Sequence, residues 1–306
     1  MKTIRQLLLC GLGLVAWHLS AVPVVTVTQG EESDLAAAYD PNDLIAGLIA
    51  TELPGDFGWY PANTDPADRL PAFTDGIGLR ATGLTGLLSD FPGAGNPAKR
   101  IQYALPAPAD ITELRVFTGN NGRDGRVFHT YSVRFSMDGA QSFTGPIYVQ
   151  SHASGTLNNA SFNQWRVALS QLGDTTGWLA TRVTHVALDF YSVDNTAGEM
   201  RDPFDGLNPF NSLDDTLSAA FVSPLVWEID LIGQYSAPVL HTTRDGGNLT
   251  ISWVGLTNGA ALQAATNLNM PVWLDLSPQP TITSSGNTNA AQVAIGPGEL
   301  YYRVRY

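Results

Sequence analysis

The chain has 306 residues, with 16 Lys and Arg against 28 Asp and Glu and a formal charge of −12. A field of that sign repels nucleic acid and anionic membranes, so phosphate-backbone recognition is excluded as the leading function. Charged residues make up only 14%, and 30 Gly and 19 Pro punctuate the chain. That is the composition of a turn-rich β protein, long enough for more than one domain.

Residues 1–21 read as a signal peptide. Lys2 and Arg5 form a basic start, Leu7–Leu19 is an apolar run, and Ser20-Ala21 supplies small residues for cleavage. The run is shorter than the roughly 20 apolar residues a membrane span needs, so the mature chain is expected to contain no span. Losing Lys2 and Arg5 would take the charge from −12 to −14. Cys10 is the only cysteine and leaves with this segment, so the exported chain is expected to have neither disulfides nor a thiol nucleophile.

Residues 22–56 form an N-terminal arm. Within it, Asp40-Pro41-Asn42-Asp43 offers a cap, a first-turn proline and an acid at the third position. Together they predict a short helix over Leu44–Ala50. Residues 57–235 alternate in the period-2 manner of strands. Ile101–Leu105 stops at Pro106, Ile111–Thr118 sets Leu114 and Val116 opposite Arg115 and Phe117, and Trp165–Leu169, Val183–Tyr191 and Leu225–Ile232 follow. In Thr130–Phe143, Tyr131, Val133 and Phe135 share one face while Ser132, Arg134 and Ser136 share the other. Asp138-Gly139 then predicts a tight hairpin leading to Ile147–Gln150. Such spacing, without long helices, predicts an all-β sandwich. Past a linker at Ser236-Ala237-Pro238, residues 237–306 hold a second strand set. It comprises Leu249–Val254, Ala261–Ala265, Val272–Leu276, Gln292–Ile295 and Tyr301–Tyr306, with Trp253 and Trp273 as candidate core.

Four segments in order carry a resemblance: Phe73-Thr74-Asp75-Gly76, IQYALPAPADITELRVF (Ile101–Phe117), YSVRFSMDGAQSF (Tyr131–Phe143) and VWEIDLIG (Val226–Gly233). Over Trp59–Gly233 the chain resembles the discoidin, or coagulation-factor type C, family of galactose-binding-like jelly rolls. The resemblance implies a jelly-roll β-sandwich that binds ligand through loops at one end, with a structural calcium ion near Asp75 and Glu228. Glu228 is read as facing out and Trp227 as facing in. The C-terminal stretch, through LTISW (Leu249–Trp253), LQAATNL (Leu262–Leu268), Trp273 and GPGELYYRVRY (Gly296–Tyr306), is similar to the small fibronectin- or Ig-like modules of secreted bacterial proteins.

Sugar recognition needs aromatic faces beside amide, guanidinium or carboxylate groups. Asn120, Asn121, Arg123, Asp124 and Arg126 supply the polar groups in one loop, while Trp59, Tyr60 and Trp178 supply candidate platforms. Each of these aromatics has core or edge packing as its competing role. The acidic stretch Asp202–Asp215 lacks the alternate-position spacing of a calcium loop and reads as a surface insertion. No Gly-x-Ser-x-Gly or His-Glu-x-x-His motif is present, and His129, His152, His185 and His241 share no ligand-like spacing. The expected protein is therefore an exported or cell-surface, non-catalytic binder of extracellular glycan. A structural or adhesive protein-binding role is the alternative, and a polysaccharide hydrolase or lyase ranks third.

Overall fold

The structure is a computed structural model. It describes residues 22–35, 38–40, 42–77, 84–120, 126–158, 164–194, 198–255, 260–286, 288–296 and 298–305. Residues 1–21, Cys10 among them, lie outside the described residues. Among those described, no helix is long and apolar enough to cross a membrane.

The chain is predominantly β. The first eight strands are β1 (Pro23–Gly30), β2 (Thr51–Glu52), β3 (Lys99–Gly119), β4 (Thr130–Ser136), β5 (Ile147–Gln150), β6 (Val167–Asp174), β7 (Ala180–Tyr191) and β8 (Val226–Tyr235), with one short helix, α1 (Glu32–Leu35). All pair antiparallel in one hydrogen-bonded sheet. The 21-residue β3 organises it. The first half of β3 pairs with β7 on one side and β2 on the other, from Lys99 opposite Phe190 to Ala104 opposite His185. Its second half pairs with β8 and β6, ending with Gly119 opposite Val167. The register breaks between Ala104 and Ala109. Pro106 and Pro108 sit in that gap, where a missing N–H costs no ladder bond. The strand therefore passes through Pro106 instead of ending there.

Folding over at this bend makes two layers, sandwich-like, with one apolar cluster between them. Ile101, Tyr103, Tyr131, Val133, Phe135, Val186, Leu188 and Phe190 come from one layer; Leu114, Val116, Leu172, Ile229 and Leu231 come from the other. Each such side chain contributes about 1.5–3 kcal/mol by leaving water. The alternation read for Tyr131, Val133 and Phe135 is therefore the core face of β4.

The opposite faces are less exposed than simple alternation suggests. Ser132 and Ser136 are buried: beside Ser132, Phe204 and Phe210 of the 202–215 stretch lie against Tyr148 and Tyr191, with the Tyr148 and Phe210 rings stacked at 4.8 Å, while Ser136 Oγ donates to Asp138 in the loop after β4. Behind β3 and β6, Phe117, Leu169 and Trp227 pack under Leu35, and Tyr39 stacks on Phe117 at 4.6 Å.

Three local expectations are corrected. Residues 44–47 form turns, not a helix: Leu44 and Asp43 are committed to the backbone of Leu231, and Gly47 takes φ +69. The arm contributes β1, α1 and β2 instead. The connection from β4 to β5 spans residues 137–146, not two. There Asp138 accepts bonds from Ser136 Oγ, Ser142 Oγ and the amides of Gln141 and Ser142, closing a broad loop. Trp227 does not face in: a bulge, with Thr118 opposite Val226 but Phe117 opposite Glu228, turns both Trp227 and Glu228 to the outer side.

Residues 241–305 hold the remaining strands: β9 (His241–Asp245), β10 (Asn248–Val254), β11 (Ala261–Ala265), β12 (Leu274–Asp275), β13 (Ile282–Ser285), β14 (Thr288–Ala294) and β15 (Tyr301–Arg305). They form sheets ordered β13-β14-β10-β9 and β12-β11-β15. Ile251, Trp253, Leu262 and Ala291 make their core. Trp273 stands outside it, with the Arg303 guanidinium 4.7 Å above its ring.

Candidate functional site

The register of β3 defines two ends. Lys99 and Gly119, with Tyr191 and the start of β8, share one end. The bend, the turn after Asp174 and the end of β8 share the other. Trp59, Tyr60, Asn120 and Arg126 all fall at the first end, whereas Trp178, 38% exposed, lies at the opposite one. Asn121, Arg123 and Asp124 lie outside the described residues.

At the first end several candidates are occupied structurally. Trp59 is buried; its Nε1 donates to Glu52 Oε1 at 2.7 Å, its ring meets Phe73, and the Nζ of fully buried Lys99 sits 4.3 Å over it. Lys99 also pairs with Glu52 and Asp56, so this group clamps β2 to β3. Arg126 donates a fork to both oxygens of Asp90 at 2.9 Å and a further bond to Ser223 O. The Asn120 backbone N–H donates to Arg166 O at 2.9 Å. Tyr60 is half exposed.

Asp90 in turn accepts from the Ser223 amide, which fixes the segment that follows it. There Phe91 adopts φ +60, a conformation that costs a bulky residue about 1–3 kcal/mol. Its amide donates to Phe221 O at 2.8 Å, and the two rings stack at 5.4 Å with 10° between planes. Phe91 is nevertheless 66% exposed. The pair borders a cleft of about 320 Å³ lined by Gly93, Ala94, Asp205, Ser218, Ala219 and Ala220. One Asp205 oxygen accepts from the Ala219 amide at 2.8 Å, while Ser218 Oγ accepts from Arg201 at 2.6 Å. An exposed aromatic face beside a carboxylate and a hydroxyl can hold a sugar ring by its C–H surface and its hydroxyls. Sequence reading missed it because Phe91 and Phe221 are far apart in the chain. The available signal was an aromatic set among Pro and Gly in DFPGAGN (Asp90–Asn96), the same pattern that singled out Trp59-Tyr60.

Asp75 and Glu228 do come together. Gly76 N donates to Glu228 Oε2 at 3.1 Å, and Asp75 Oδ1 accepts from Ile77 N at 2.9 Å. They line a pocket of about 190 Å³ with Asp40, Asp43 and Asp230. Burial is the main cause that lifts the Asp43 carboxyl to about 6, against bonds from the Leu231 and Ile45 amides. Burial, and then the charge of Asp43, lift Asp230 to about 7. A calcium ion takes about six to eight oxygens, including carbonyls. Here the loop turns an N–H toward Glu228, and among the described residues no three His, Cys, Asp or Glu side chains converge as a ligand set. The pocket is acidic but is not a formed cage.

One arrangement resembles a hydrolytic pair. His129 Nε2 lies 2.8 Å from Ser170 Oγ and its Nδ1 lies 2.7 Å from Thr118 Oγ1. Thr118 gives its hydroxyl proton to Val127 O, so His129 Nδ1–H donates to Thr118 and Nε2 accepts from Ser170. His129, Ser170 and Thr118 are all fully buried, and desolvation lowers the imidazole to about 3. Substrate cannot reach this pair; it is a neutral core network.

Comparison with known families finds no matching family model, and comparison with characterised proteins finds no match. The candidate site therefore rests on its own geometry.

Proposed function

We propose that the chain is an exported, non-catalytic glycan-binding protein whose larger β unit is a discoidin-like jelly roll that holds sugar in loops at one end. The C-terminal strands are read as a separate fibronectin- or Ig-like module, and the N-terminal segment as the leader that sends the protein to the outside or surface of a bacterial cell. One observation carries the binding reading: Phe91 is held in a strained conformation, stacked on Phe221 and 66% exposed, beside Asp205 and Ser218. A hydrophobic ring kept in water at a cost to the backbone is accounted for by a ligand that covers it. The test is binding of wild type and Phe91→Ala to an array of neutral and acidic polysaccharides. Wild type should bind a galactose-containing glycan, and loss of the ring should weaken this at least tenfold. Binding that ignores the substitution would remove the site, and silence across the array would remove the function.

The calcium ion implied by the resemblance enters as a narrower proposal, with the pocket of Asp40, Asp43, Asp75, Glu228 and Asp230 as its seat. Its support is the gathering of five carboxylates around one small pocket, where Arg115, 4.0 Å from Asp40 and opposite Asp230, offsets only part of their charge.

A further inference from the structure

The outer face of β3, β7 and β4 carries a second feature that the loop site does not use. Arg100 on β3 lies opposite Asp189 on β7, and Ser132 of β4 faces Asp189 from the other side, two residues before Arg134. Arg100 Nε donates to Asp189 Oδ1 at 3.0 Å and Arg134 Nη2 donates to Oδ2 at 3.1 Å. One carboxylate thus serves two guanidiniums. Arg100 spends a further N–H on Pro54 O, whereas Nη2 of Arg100 and both Nε and Nη1 of Arg134 have no partner among the described residues. The two arginine side chains are 31% and 27% exposed, over an Asp189 that is 9% exposed. The Phe143 ring lies 5.7 Å from the Arg134 guanidinium. In a chain of formal charge −12, this is a local excess of one positive charge.

We infer that this face is a subsite for the carboxylate of an acidic saccharide, such as a uronate residue. It rests on the glycan-binding reading and adds charge selection to it. The two arginine-bearing strands stand about 10 Å apart with β7 between them, so both guanidiniums can address one planar carboxylate above Asp189. Phe143 beside them offers a ring to the sugar's apolar edge, and Gln102, opposite Ala187, offers an amide on the same face. An acidic peptide fits less well. β4 and β7 are already paired on both sides, so this face presents no free strand edge for an extended peptide to join.

Isothermal titration of the intact chain with trigalacturonate, galactotriose and triglutamate tests the inference, using wild type, Arg134→Gln and Arg100→Lys. Trigalacturonate should bind at least tenfold tighter than galactotriose. Each variant should lose that preference while keeping the wild-type melting temperature within a few degrees and its galactotriose affinity. Equal binding of the two sugars, an unchanged preference in both variants, or triglutamate binding as tightly as trigalacturonate would each overturn it. The two readings fail differently. Galactotriose binding that Phe91→Ala abolishes, without any acidic preference, leaves the loop site standing and removes only the arginine subsite.

Discussion

Replacing Asp230 by Asn should stabilise the protein at alkaline pH and do little in acid. Asp230 is 3% exposed, and burial followed by repulsion from Asp43 moves its carboxyl from 3.8 to about 7. An acid whose folded value is raised favours folding only while protonated. Its share of stability is complete below the unfolded value near 3.8 and is lost as pH rises through about 7. At about 1.36 kcal/mol per pH unit, that displacement corresponds to an upper limit of ~4 kcal/mol at pH 8. Two local facts reduce it. Arg115, opposite Asp230 across the strands, loses some favourable charge, although it keeps its fork to Glu113 and lies 4.0 Å from Asp40. Asp43, at about 6, also shares the repulsion, so part of the relief belongs to the pair. The Asp40 amide can still donate to an Asn oxygen at the same place.

A gain of about 2 kcal/mol at pH 8 remains, worth roughly 4–8 °C in melting temperature for a protein of this size. The assay is thermal melting of wild type and Asp230→Asn from pH 4 to pH 8. The difference should open as pH rises from about 4 to 7 and then level off. His129 has the opposite sign. Its imidazole is held near 3, so its contribution is present above 6.5 and is lost as pH falls. It occurs in both proteins and cancels in the difference. A variant that is less stable at pH 8, or a difference that is the same at pH 4 and pH 8, would refute the reasoning.

Two further outcomes follow from the same structure. If calcium occupies the acidic pocket, millimolar calcium should raise the melting temperature by several degrees at pH 8, EDTA should reverse this, and the gain should shrink in Asp230→Asn; a ligand at about 100 times its Kd adds ~2.7 kcal/mol. No calcium-dependent rise would remove the ion. Gly86→Ala should cost more than about 3 kcal/mol or abolish folding, since Gly86 has φ +70 and an added Cβ would run into the Val226 carbonyl, which is backbone and cannot yield. A denaturant midpoint within experimental error of wild type would count against that packing.

What was legible in the sequence was the local period, because strand faces are set by covalent geometry. Tyr131, Val133 and Phe135, and likewise Leu114 and Val116, sit in the core as their spacing implies. What was not legible depended on partners far along the chain. Pro106 looked like a stop, yet β3 uses it where two registers meet. The bulge at Trp227 turns that side chain out of the core to the side where Glu228 already stood. Trp59 reads as a binding platform until Lys99, forty residues on, is placed over its ring. The same blindness hid Phe91. Nothing in DFPGAGN distinguishes a loop phenylalanine that is tucked away from one held open, because Phe221 and Asp90's grip on Arg126 and Ser223 make that difference. Candidate ligand aromatics are therefore better sorted by what restrains their backbone than by their residue type. By that criterion Trp59 belongs to the core of this protein, and Phe91 is the aromatic to test for ligand contact.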